Sequence, residues 1–404
     1  MRCHPERRSP RRQKSKTYPG EAEGNLAERN NGGSRGLQAP EQDVREGRGF
    51  SPGRERSLHL ARFSFASRPL ECCHDHNYAV PPARDTPRGL RYPYPAMHTT
   101  RRTFLAMSAA TASLAAAPVS KLSPVRLGGP IFLQSSDPAT LAREHRRLGY
   151  SAAYVPENAT LKDPDLLRAI EHAFAAENVC IAEVGAWKNM LEPDTTKRRQ
   201  NLNYVTERCA LADAIGARCC VDIAGSFNPD SWYGPDPKNL SRDFFDATVE
   251  NCRHILDTVK PTRTRFTIEM MGWNLPDSPD AYLELIRAVD RKAFAVHLDV
   301  CNGINSPARF YNNTAYIEEC FRKLGPWIIS CHAKDLHWEI EYNLHFKEVP
   351  PGRGSIDYQA YLRCLSALGR DTPLMLEHLA TAAEYDEGRA SILKTGHAIG
   401  IPFA

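Results

Sequence analysis

No run in this 404-residue chain approaches the ~18 uninterrupted apolar residues that a membrane-spanning helix needs, so a soluble mature protein is expected. Zinc-finger spacing is missing too: the 12 Cys include no CxxC pair, which leaves a metal finger without support. Most of them lie in apolar runs such as Cys219-Cys220 and around Cys331, where a free Cys acts as a small buried hydrophobe. Nor is there a Gly-rich phosphate loop, because Gly128-Gly129-Pro130 after the first strand-like run lacks the spacing. Strong charge of one sign is absent as well. The net charge of +4 comes from the first 96 residues, with about 18 Lys and Arg against about 11 Asp and Glu, and the remainder is slightly acidic. Charge therefore gives nucleic-acid binding no support.

Residues 1–96 are rich in Arg, Pro, Ser and Gly, with almost no apolar periodicity. Such a segment buries too little surface to offset chain entropy and reads as a disordered leader. It is either a basic interaction tail or a stretch upstream of a true start at Met97, and we prefer the second reading. Thr99-Thr-Arg-Arg-Thr-Phe-Leu105 then sets two arginines ahead of a mildly apolar stretch, Ala106–Ala117, which ends in three Ala. Residues 97–117 look like a twin-arginine (Tat) export signal, with the Tat translocase as a partner during export and the periplasm or cell exterior as destination. The apolar part, ~13 residues, is too short to span a bilayer, so no stable membrane anchor is expected.

From about residue 122 the chain alternates short apolar runs with helix-period segments. Strands are expected near 126–133, 152–156, 179–184, 217–223, 265–270, 293–300, 327–333 and 373–378. Helical segments fall between them, several opened by Asp, Ser or Pro. Strand-then-helix repetition implies a parallel sheet covered by helices. Eight strands predict an α/β fold, a single (β/α)8 TIM barrel over 122–404, in preference to an open doubly wound sheet. The long segments 224–239 and 335–355 follow the fourth and seventh strands, on the face where such barrels build their sites.

Four strand-like runs end in a residue that binds hard divalent cations: Arg265–Glu269, Phe294–Asp299, Trp327–His332 and Pro373–Glu377. Their recurrence at the repeat of the βα unit lets one ring of strands aim Glu269, Asp299, His332 and Glu377 at a single ion. Each alone has a plain structural alternative, such as a strand-end carboxylate paired with Arg or a satisfied core histidine. Two Glu, one Asp and one His without Cys suit Mn2+ foremost, then Mg2+ or Co2+, with Zn2+ also compatible. His297 alternates with Asp299 and is assigned to the core beneath the ligands.

These residues, with His332-Ala-Lys-Asp335, Pro351-Gly-Arg-Gly-Ser-Ile-Asp-Tyr358 and Met375-Leu-Glu377, resemble the xylose isomerase-like TIM barrel superfamily, in its sugar phosphate isomerase/epimerase branch. The resemblance covers about residues 122–400. It implies that Glu269, Asp299, His332 and Glu377 hold one divalent metal and that Glu269 and Glu377 are also the catalytic acid/base pair. One departure stands out: well-known ketose epimerases of the family carry His three residues after the ligand Asp, where this chain has Asn302, a residue able to bind a hydroxyl but not to titrate. Lys334, Asp335 and Arg353 are candidates to orient substrate hydroxyls, and Glu157 and Trp187 to line the pocket.

The expected activity is a metal-dependent sugar isomerase or epimerase, removing a proton beside a carbonyl through an enediolate. Alternatives are a lyase or hydrolase on 3-keto-glycosides and a non-catalytic sugar-binding barrel. An abasic-site endonuclease on the same barrel would need several zinc ions, more His and a basic face. The expected partner is a small carbohydrate, and a homo-oligomer is compatible with the sequence. N-terminal sequencing of the native product should find no residue upstream of Met97; a longer product would refute the assigned start.

Overall fold

The computed structural model describes residues 122–404. The segments expected to be a leader (1–96) and an export signal (97–117) lie outside the described residues. In chain order the strands are β1 (Arg126–Gly128), β2 (Ala152–Tyr154), β3 (Cys180–Gly185), β4 (Cys219–Ile223), β5 (Arg265–Glu269), β6 (Phe294–Leu298), β7 (Ile328–Ala333), β8 (Asp335–Trp338), β9 (Phe346–Val349) and β10 (Pro373–Leu376). All but β8 and β9 pair in parallel and close into a barrel, in the order β1-β10-β7-β6-β5-β4-β3-β2. The predicted eight-stranded ring is therefore present, with each strand where the apolar runs put it. Among the described residues no helix is long and apolar enough to cross a membrane.

The helices are α1 (Pro138–Arg147), α2 (Pro164–Ala176), α3 (Thr195–Ile215), α4 (Arg242–Val259), α5 (Pro279–Val289), the short α6 (Pro307–Tyr311), α7 (Asn313–Leu324), α8 (Tyr358–Ala367) and α9 (Ala382–Ala398). Their starts are written in the sequence. Asp137, Asp163, Asp194, Ser241, Ser278 and Asp357 each accept a backbone N–H of the first turn, satisfying donors that a helix leaves free. Thr381 and Glu384 make a reciprocal capping box on α9. The apolar helix faces, with Phe174, Ile215, Phe244, Tyr282 and Leu324, are buried against the outside of the ring. Each such side chain contributes about 1.5–3 kcal/mol.

Two irregularities in the ring decide which side chains reach its interior. Ala153 pairs with Ile181, but Tyr154 pairs with Glu183, so β3 carries one residue more than β2. Val296 pairs with Ile328 and then His297 with Ser330, so β7 carries one more than β6. An extra residue reverses the in–out alternation beyond it. Glu183, Ser330 and His332 consequently face the lumen together with His297.

The segment 335–355, expected as a long loop, instead forms an antiparallel hairpin of β8 and β9. Aromatic packing anchors it: Phe346 stacks on Phe310 of α6 with ring centroids 5.0 Å apart, and Trp338 packs edge-on against both. At the opposite end of the barrel the lumen is filled by Met375 against Ala152. A Cβ built on Gly128 would lie 2.5 Å from the Ala152 carbonyl oxygen, so only Gly fits there. Gly128→Ala should cost about 1–3 kcal/mol through overpacking, read as a lower melting temperature.

Candidate metal centre

Glu269 ends β5, His332 lies near the end of β7, and Asp299 and Glu377 are the first residues after β6 and β10. All four therefore stand at the C-terminal mouth of the ring, on four adjacent strands. Their side chains converge, each offering one ligand atom within 4.8 Å of all the others. His332 Nδ1 lies 2.9 Å from Glu377 Oε1, 3.2 Å from Glu269 Oε1 and 3.6 Å from Asp299 Oδ2. An octahedral Mg2+-type ion with bonds of ~2.1 Å sets neighbouring ligand atoms about 3 Å apart, so this spacing fits one.

The polar balance fits one too. Asp299 Oδ2 and Glu377 Oε1 are buried and accept no hydrogen bond. The Lys334 ammonium lies 2.9 and 2.7 Å from these oxygens but without hydrogen-bond alignment, so it offers them charge and not a directed donor. Three carboxylates against one ammonium leave an excess of negative charge when His332 is neutral, which a divalent cation would offset.

The pKa values follow from this crowding. Burial, together with the negative charge of Glu377, raises Glu269 despite its approach to His332. Burial would also raise Glu377, but His332, Lys334 and His378 outweigh it and pull the group down to about 2. Asp299 is held well below its usual range by Lys334 and His332 against the same burial. His332 and Lys334, penalised by burial, are both raised well above their ordinary values by the surrounding carboxylates.

The other predicted residues separate into two groups. Asn302 is at the centre, donating from Nδ2 to Glu269 Oε1 at 2.8 Å and accepting from Lys334 Nζ at 3.0 Å. Trp187, 37% exposed and with φ of 43°, turns its ring over the mouth, 6.4 Å from the His332 ring. Asp335 is not available to substrate, because its two oxygens accept the backbone N–H groups of Leu336, Gly352, Gly354 and Ile356. It clasps the Pro351–Ile356 turn to the start of the hairpin. Arg353 likewise spends its guanidinium on Glu387 of α9. Glu157 is exposed after β2 and is not gathered into the cluster.

Several residues of the site escaped the sequence reading. His378 follows Glu377 directly, and strand alternation would turn it away, but its backbone is left-handed, with φ of 59°, and this breaks the alternation. Its Nδ1 lies 2.9 Å from Glu348 Oε2 on β9 and 3.4 Å from Lys334 Nζ. Beneath the mouth, Glu183 of β3 is fully buried. Its Oε1 accepts from Ser330 Oγ at 2.6 Å and meets His297 Nε2 at 2.8 Å, and its Oε2 lies 3.2 Å from His332 Nε2. Burial alone would raise Glu183, but the two imidazoles hold it well below the usual carboxylate range. The available clue was one carboxylate inside the otherwise apolar run Val179–Val184. Nothing in the sequence marked Glu348.

A closed α/β barrel with a cluster of oxygen and nitrogen donors at its C-terminal mouth defines the class. The chain belongs to the xylose isomerase-like TIM barrel family, whose profile matches residues 143–395. Among solved structures it is similar to a xylose isomerase-like TIM barrel protein from Mycobacterium smegmatis in complex with magnesium, at 19% identity and a TM-score of 0.50, covering 68% of this chain and 96% of that one. It is also similar to 3-keto-D-glucoside 4-epimerase from E. coli, at 11% identity and TM-score 0.50, covering 68% and 99%. Endonuclease IV from Thermus thermophilus gives 15% identity and TM-score 0.50, covering 68% and 98%. At such identities the likeness is one of fold. No curated protein matches the chain.

Because Asp335 holds four backbone donors, Asp335→Ala should act on stability before substrate affinity. A loss of about 3 kcal/mol or more is expected, with faster limited proteolysis within residues 339–345. An unaltered melting curve would return Asp335 to the substrate.

Proposed function

We propose that this chain is a divalent-metal-dependent sugar isomerase or epimerase, with Glu269, Asp299, His332 and Glu377 as metal ligands and Mn2+ as the preferred ion. The observation that carries it is the convergence of two buried carboxylate oxygens that accept no aligned hydrogen bond with Glu269 and His332 Nδ1 on one point at the barrel mouth. When bound, the ion supplies positive charge against the negative charge that develops on sugar oxygens.

The chain's own residues account for the proton. Glu269 and Glu377 stand on strands three places apart in the ring, so a sugar over the centre has a carboxylate on either side. One takes the proton from the carbon beside the carbonyl and the other returns it. Return to the opposite face of that carbon gives an epimer, and return to the neighbouring carbon an isomer. Asn302 fixes Glu269 through its amide, and Lys334 holds charge beside Asp299 and Glu377. Trp187 offers a flat apolar face at the rim on which a sugar ring can stack. A 3-keto-D-glucoside 4-epimerase is built on the same fold. Export by the Tat route belongs to the same proposal and favours neutral sugars as substrates, because sugar phosphates are scarce outside the cytoplasm.

A second reading, a lyase or hydrolase on 3-keto-glycosides, is favoured by His378. Paired with Glu348 and 55% exposed in its side chain, it stands beside Glu377 where a departing glycosidic oxygen would leave the mouth.

Purified protein should carry one divalent ion per chain and, in D2O, incorporate one solvent deuterium into an epimerised or isomerised product. Glu377→Gln and Glu269→Gln should each reduce turnover at least ~100-fold with the fold intact by circular dichroism. Product analysis on free ketoses against 3-keto-glycosides separates the two readings. Full activity in Glu377→Gln would remove that residue from the mechanism.

A further inference from the structure

His332 is held between two groups of acids, one at each ring nitrogen. Nδ1 faces Glu269, Asp299 and Glu377, while Nε2 faces Glu183 alone among the carboxylates. Glu183 reaches it from β3, four places from β7 in the eight-strand ring and therefore directly across the lumen. The extra residue of β3 relative to β2 is what turns Glu183 inward, and the extra residue of β7 relative to β6 is what brings Ser330 and His332 to meet it.

A neutral imidazole carries one N–H and one lone pair, and its hydrogen-bond partner decides which nitrogen has which. An ionised carboxylate can only accept. We propose that Glu183 is a positioning residue: by accepting the Nε2–H of His332 it fixes the ring tautomer and angle, leaving the Nδ1 lone pair directed at the point shared by Glu269, Asp299 and Glu377. The inference rests on the metal reading of that point. Ser330 and His297 hold the other oxygen of Glu183, so the carboxylate cannot rotate away from His332 without losing both contacts.

The spacing of Glu183, His297 and His332 would by itself also admit an ion. Two features speak against a second ion there. Glu183 Oε1 is already met at 2.6 and 2.8 Å by a hydroxyl and an imidazole, the pattern of a filled hydrogen-bonding site. A second ion would also require His332 to ligate through both nitrogens at once.

The test uses the full chain stripped of metal and titrated with Mn2+ in competition with a chelator. Glu183→Gln keeps the volume but replaces an obligate acceptor with an amide that can donate to Nε2, so it should weaken binding about 10–100-fold at an unchanged one ion per chain. Ser330→Ala, which removes one of the two contacts that hold the other oxygen of Glu183, should weaken binding by less than Glu183→Gln does, and a larger loss would overturn the inference. Should Glu183→Gln not fold, 1H–15N spectra of the Mg2+-loaded wild-type chain test the same contact: the Nε2–H of His332 should be shifted downfield and protected from exchange as a hydrogen-bonded proton, and a free, fast-exchanging Nε2–H would overturn the inference. Unchanged affinity in Glu183→Gln or two ions per wild-type chain would overturn the inference while leaving the metal reading standing, and a protonated Nδ1 would overturn both. A wild-type chain that binds no divalent ion would overturn both.

Discussion

Ionised carboxylates persist inside a closed barrel only where something positive answers them, and that requirement organises the mouth of this one. Glu269, Asp299, Glu377 and Glu183 all sit in the lumen, yet the ammonium of Lys334 and two imidazoles are what the chain supplies in return. Removing such groups from water costs several kcal/mol each, and the cost is recovered only with good geometry around them. The lumen is accordingly layered. Met375 and small residues fill one end, a hydrogen-bonded floor of Glu183, His297 and Ser330 lies above, and the four converging donors sit at the opening.

Local backbone devices deliver side chains that regular strands would not. One-residue slips in pairing turn Glu183 and His332 to the same interior layer, and left-handed backbone at Trp187 and His378 folds both residues back over the opening. Non-glycine residues adopt that conformation at a cost of about 1–3 kcal/mol, and positions that carry it cluster at functional sites. Here the two stand at the mouth three places apart in the ring, one after β3 and one after β10.

Much of this was legible in the sequence. Apolar runs and capping residues such as Asp163-Pro164 and Ser278-Pro279 located strands and helices closely, since both signals are local. The four converging residues were readable because they recur at the same place in successive βα units. What escaped depends on pairing between distant segments. Glu183 is turned inward by the slip in register against β2, and Glu348 reaches the site only through the pairing of β8 with β9. The partners of Asp335 and Arg353 were likewise out of reach of the sequence: nearby backbone amides and Glu387 engage these candidate substrate residues.

The hairpin of β8 and β9 is fastened at both feet. Lys334 and Asp335 lead into it, and Glu348 leaves it bound to His378. Between those feet, residues 340–344 touch little: the side chains of Ile340 and Tyr342 are fully exposed and Leu344 is half so. Insertions, deletions or changes of side chain in that span leave the fastened ends where they are. The tip of the hairpin is thus free of the packing constraints that bind the buried cluster below it, and side chains there can change without moving that cluster.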